Sequence, residues 1–244
     1  MTGMAPRDPP GTFPKPSAAA FSSKLGASGG RPPGVPTRRI PFGLKLAYSA
    51  FMAVLVPVYW VNYGPANFLY FCDCALLVTL VALWTESAYL ASMQALAITL
   101  PQAVWVLDFV AYAVVRRHVV DLTGYMFESE RPLFLRALSF FHFWLPFLLL
   151  WTVRRLGYDR RAWIGQTVFG TVILLASYVL APLPIDPVVG NVNKIHGPSE
   201  SSPQTWMDPR LWVLVLVAGT ILVIYLPTHA LLSRWGTRRV STRS

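Results

Sequence analysis

Residues 88–115 read AYLASMQALAITLPQAVWVLDFVAYAVV, 28 residues with a single formal charge, at Asp108. A helix needs about 20 consecutive apolar residues to cover the hydrocarbon core of a bilayer. This stretch exceeds that length and predicts a membrane-spanning helix, tilted or opening on an interfacial turn near Glu86. Five more segments of similar character flank it, at approximately 41–61, 66–84, 132–153, 162–182 and 211–232. The runs are continuously apolar and not alternating, which disfavours a membrane β-barrel. Pro57, Pro101, Pro146 and Pro227 fall within or near the ends of these segments. Proline is tolerated there, because neighbouring helices re-satisfy the freed carbonyls. The expected fold is all-α: a polytopic membrane bundle of about six transmembrane helices over 40–233.

Composition agrees with this reading. Of 244 residues, 54% are hydrophobic and 13% charged, and the mean hydropathy is +0.47. Soluble domains carry about 25% charged residues, so most water-soluble enzyme classes are excluded. Residues 1–39 hold eight prolines and six glycines with few aliphatic side chains. Such a segment cannot bury enough apolar surface to offset its chain entropy, and it predicts a disordered tail. A shorter basic tail is expected at 234–244.

The net charge of +10 would point to nucleic acid in a soluble chain. In a membrane protein it reads as orientation. With six spans, fifteen of the 21 Lys and Arg residues fall on one side: in the N-terminal tail and Lys45, in Arg154-Arg155 and Arg160-Arg161, and in the C-terminal tail. Both termini are therefore expected in the cytoplasm, with membrane lipids and no nucleic acid as partners and protein partners unspecified. Arg outnumbers Lys 17 to 4, a composition expected of a GC-rich genome and a bacterial plasma membrane.

Ionisable residues inside spans are costly and mark function by default. Asp73, Asp108 and His142 are the three such positions in the outer half or middle of the predicted spans. Helical periodicity places Gln94, Gln102, Trp105 and Asp108 on one face, and Ser139, His142 and Pro146 on another. A polar cavity is expected where these faces meet, with Asp108, Gln102, Trp105 and Ser139 lining it. Cys72 and Cys74 stand at i, i+2 on a helix and point to different faces, so no disulfide joins them. No dinucleotide fingerprint, phosphate loop or zinc-protease helix occurs, and neither a cofactor nor a metal is expected.

An ordered series of motifs runs through residues 65–229: Phe71-Cys72-Asp73-Cys74-Ala-Leu-Leu, Gln94-Ala-Leu-Ala-Ile-Thr-Leu-Pro101, Leu135-Arg-Ala-Leu-Ser-Phe-Phe-His142, Gly190-Asn191-Val-Asn193 and Ile224-Tyr225-Leu-Pro227. The series resembles the YwaF-like integral-membrane family, which includes eukaryotic ether-phospholipid acyltransferases and is similar at a distance to the androgen-induced-gene lipid hydrolases. The resemblance implies acyl-ester chemistry, with Cys72 as nucleophile, His142 as its base, and Asp73 or Asp108 orienting the imidazole. Thiol attack activated by a neighbouring base divides acyl transfer into two easier steps. Two other readings stand beside it: a small-solute or proton-coupled carrier using Asp73 and Asp108, and a non-catalytic membrane scaffold. Six spans without inverted halves or paired broken helices carry no carrier signature.

Overall fold

A computed structural model describes Gly3 and residues 40–120, 122–181, 190–199 and 202–236. The expected tail at 1–39 lies, but for Gly3, outside the described residues, as do positions 237–244 of the expected C-terminal tail. Among the described residues every regular element is helical. Helix α1 spans Phe42–Tyr63, α2 Phe71–Thr85, α3 Ala88–Val115, α4 Leu133–Ser139, α5 Phe141–Leu156, α6 Ala162–Leu180, α7 Pro209–Gly219 and α8 Leu226–Gly236. Short 3₁₀ turns stand at Pro65–Leu69, Gly124–Met126 and Val192–Lys194, and a π-helical turn at Thr220–Tyr225 joins α7 to α8. Five stretches are long and apolar enough to cross a membrane: α1, α3, the α4–α5 run, α6, and the α7–α8 run through Arg234. Their outer faces expose large apolar side chains such as Leu107, Val114, Phe147, Val168, Val179 and Leu222. Exposed apolar surface on this scale marks contact with something other than water. The chain is a multi-pass membrane protein, and lipid covers those faces.

The second predicted span requires correction. Segment 66–84 is not one helix: its first part is the 3₁₀ turn, Tyr70 is extended (φ −60°, ψ 137°), and α2 begins only at Phe71. Its 15 residues rise about 22 Å, short of a hydrocarbon core of about 30 Å. Two local causes explain the break. Pro65 favours the tight first turn, and the Asn193 side chain accepts from Phe71 N (3.0 Å) while donating to the Leu69 carbonyl (2.7 Å). A polar plug from the 190–199 loop thus replaces the missing helical turn. The fourth predicted span is also divided, with Phe140 between α4 and α5.

Side-chain links define two ends of the bundle. Lys45 pairs with Glu86 at 2.7 Å, joining the start of α1 to the α2–α3 turn. Asp159 N donates to Ser92 Oγ, and Tyr158 bonds His229, joining the 157–161 loop to the start of α3 and to α8. At the opposite end Arg131 donates to Tyr63 Oη, and Trp212 donates to the Lys194 carbonyl. The chain therefore runs end to end at each element, even though α2 is short. Lys45, Arg154, Arg155, Arg160, Arg161 and Arg234 collect at the first end.

Helix α6 packs against α3 and the π-turn through two glycines. A Cβ on Gly165 would collide with Tyr89 Oη, and one on Gly170 with Tyr225 Oη. Tyr225 is 1% exposed and receives a hydrogen bond from Gln166 Nε2 at 3.1 Å, so it cannot swing aside without breaking that bond. Overpacking of this kind costs about 1–3 kcal/mol. Gly170→Ala should lower the unfolding midpoint in detergent, and Tyr225→Phe should restore part of the loss by removing the colliding oxygen. A double-mutant cycle reads the coupling directly.

Candidate functional site

Helices α1 to α5 and two 3₁₀ turns converge on one polar cluster near the second end. Helix α2 contributes Cys72 and Asp73 in its first turn, where unpaired backbone N–H groups and the helix dipole favour negative charge. Asp73 is buried. Its Oδ2 accepts from Asn67 Nδ2 at 3.1 Å and lies 3.8 Å from Cys72 Sγ, while Oδ1 has no partner among the described residues. Asn67 comes from the 3₁₀ turn at Pro65–Leu69, so the break in the second predicted span is what brings it beside Asp73. Cys72 is only half-buried, whereas Cys74 is buried and donates to the Phe68 carbonyl at 3.1 Å. The two thiols thus differ in access and in partner, and neither is in a disulfide.

Helices α1, α3, α4 and α5 build the facing wall. Tyr59 Oη and Ser139 Oγ share a 3.0 Å hydrogen bond, and Ser139 Oγ also reaches the Leu135 carbonyl. His142 Nδ1 lies 2.7 Å from the Ser139 carbonyl. A carbonyl only accepts, so Nδ1 carries the proton and a neutral ring keeps Nε2 as an acceptor. The imidazole is sandwiched between Trp105, stacked at 4.6 Å, and Phe141 at 4.1 Å. Tyr125, from the 3₁₀ turn Gly124–Met126, completes the wall with its ring 6.5 Å from Trp105. Burial pushes its hydroxyl pKa well up. Tyr125 is therefore a protonated donor on this wall. Sequence reasoning did not select Tyr125, Asn67 or Tyr59. All three lie in, or against, turns that the apolar pattern does not resolve.

The structure brings Cys72 and Asp73 together, and Ser139, His142 and Trp105 together, with the Tyr125 ring near Trp105. It does not bring Cys72 into hydrogen-bond contact with His142. Gln102 is buried beneath Trp105 on α3, and neither its Nε2 nor its Oε1 has a partner among the described residues. Asp108 stands apart. Its two oxygens accept from the backbone N–H groups of Val119, Val120, Leu122 and Thr123 at 2.7–3.0 Å, from Thr123 Oγ1 at 2.7 Å, and bond His118 Nδ1 at 3.0 Å. That carboxylate is committed to fastening the 116–123 loop onto α3. Arg136 donates to the Met126 carbonyl and does not pair with Asp73. No group of three or more His, Cys, Asp or Glu side chains gathers to hold a metal among the described residues.

No protein-family model, curated protein or solved structure matches this chain.

Proposed function

We propose that the protein acts on the ester bond of a membrane lipid, as an acyltransferase or acyl-ester hydrolase with Cys72 as nucleophile. The observation that carries this reading is the Asn67–Asp73–Cys72 chain at the first turn of α2. In it a half-buried thiol faces a buried carboxylate oxygen. Asp73 Oδ2 takes the thiol proton, and the sulfur attacks the ester carbonyl carbon. The Tyr125 hydroxyl donates to the oxyanion, the kind of preorganised stabilisation that lowers acyl-transfer barriers most. The carbon–oxygen bond to the lysolipid breaks, its alkoxide takes the proton from Asp73, and an acyl thioester remains on Cys72. An incoming alcohol or water then attacks the thioester, its proton passing to His142 Nε2 and from there through water to the departing thiolate. The order of motifs that resembles the YwaF-like family supports the same assignment. It differs in one respect: Asp73 replaces His142 as partner of the thiol, since Asp73 is the group within its reach.

The setting proposed for this chemistry is a bacterial plasma membrane with both termini cytoplasmic. The excess of basic residues in the two tails and the 154–161 loop, fifteen of 21 with Lys45, supports the orientation. The test is covalent capture. Incubation with a phospholipid followed by acid quench should give a protein mass increased by one acyl chain and released by neutral hydroxylamine. Cys72→Ala should lose the adduct and Cys74→Ala should keep it. An adduct that survives Cys72→Ala, or is absent from every form, overturns the assignment.

A further inference from the structure

Below the cluster the bundle core carries polar atoms that the fold leaves without partners. Thr79 Oγ1 on α2, Gln94 Nε2 on α3 and Gln166 Oε1 on α6 have none among the described residues, nor do Asp73 Oδ1 and both amide atoms of Gln102. These side chains are 4% exposed or less, with Thr79 and Gln166 at 0%. Buried polar atoms in native proteins are hydrogen-bonded in the great majority, commonly through internal water. Five side chains with this defect in one bundle call for a common cause.

Their heights along the bundle are ordered. Helices α2 and α3 are an antiparallel hairpin closed at Glu86 and Ser87, so equal counts from the turn mean equal depth. Thr79 and Gln94 each lie seven residues from it, about 10 Å, and Asp73 and Gln102 lie 13 and 15 residues away, about 20 Å. The α6 backbone at Gly165 touches Tyr89 and Met93, which sets the adjoining Gln166 level with Gln94. Gln166 Nε2 is taken by Tyr225, at the end of the π-helical turn, while its oxygen is left over. π-Turns within helices occur frequently at functional sites.

We propose that the bundle holds an internal water site on two levels, one at Thr79, Gln94 and Gln166 and one at Gln102 and Asp73. The amide and hydroxyl groups supply both donors and acceptors, which is what water requires and what a bare ion or an acyl chain does not. The upper level ends on the Asp73 oxygen that faces away from Cys72 and Asn67. On the reading of Cys72 and Asp73 given above, water there exchanges protons with Asp73 between turnovers. The site itself does not depend on that reading.

Hydroxyl-radical labelling of the full chain in lipid nanodiscs tests it, because radicals formed from internal water mark adjacent side chains. Met93 adjoins Gln94 and Gly165, and Met52 on α1 is buried to a similar degree, 6% against 3% exposed. Met93 should be labelled about tenfold faster than Met52, as expected beside ordered water and not in a dry core. In Gln94→Leu/Gln166→Leu the Met93 rate should fall to that of Met52, and in Cys72→Ala it should not change. Equal rates for the two methionines in the native protein overturn the proposal, and that comparison needs no variant. Fast labelling of Met93 together with failed acyl capture keeps the water site and removes the catalytic reading. Slow labelling with successful capture does the reverse.

Discussion

Asp108→Leu should open the 116–123 loop and lower stability by about 3–5 kcal/mol, the size of effect seen when one partner of a buried charged pair is removed. The carboxylate receives four backbone N–H groups and the Thr123 hydroxyl, and bonds His118, while itself 0% exposed. Hydrogen bonds to a charged group contribute about 1.5–3 kcal/mol each in isolation. Six of them do not add, because the loop can detach as a unit and rehydrate at the surface. That detachment limits the loss and also gives it a signature. Arg116 and Arg117 are exposed at the loop's start, so trypsin should cleave there in the variant long before the bundle unfolds. Asp108→Asn should fall between, since its amide keeps one accepting oxygen but turns an N–H₂ toward backbone donors. A carrier reading of Asp108 predicts the opposite pattern: transport lost and the loop unchanged in Asp108→Asn.

The long elements were legible because bilayer-length apolar runs are a coarse signal. Helix α3 begins and ends where 88–115 predicts, and the runs at 41–61 and 162–182 differ from α1 and α6 by one or two residues. The shared face of Gln94, Gln102, Trp105 and Asp108 is buried as periodicity requires. What the pattern missed are interruptions enforced from a distance. Asn193 ends the 3₁₀ turn and caps α2 from across the bundle, and no local residue near Tyr70 announces that contact. The break at Phe140 and the π-turn at 220–225 have no proline or glycine inside them to give notice, although Gly219 precedes the latter. Asp108 could be flagged as costly but not assigned, because four of its donors are backbone groups, which carry no sequence signature. The same blindness applies to the thiol's partner. The pairing of His142 with Cys72 came from the family resemblance and not from spacing. The corner at Tyr70, invisible to periodicity, is what brings Asn67 and the Asp73 carboxylate to the sulfur.

Asp73→Asn isolates that carboxylate's contribution. The substitution preserves volume and leaves an oxygen for Asn67 Nδ2, so the thermal midpoint should stay within a few degrees of native. It removes the carboxylate that lies 3.8 Å from Cys72 Sγ and can accept its proton. Proton transfer by a positioned side chain contributes about 10²–10⁴ in rate, so release of labelled fatty acid from phospholipid in mixed micelles should fall by about that factor. Asn67→Ala should cost less, because Asp73 loses an orienting donor and keeps its basicity. His142→Ala should spare acylation of Cys72 and slow deacylation, so that the acyl adduct accumulates. These three responses separate the readings. A scaffold predicts that Asp73→Asn alters stability alone, and a proton-coupled carrier predicts that solute uptake into proteoliposomes disappears with lipid turnover absent throughout. Only an acyl-transfer site predicts an intact fold, a slowed first step and, from a different helix, a stalled second one.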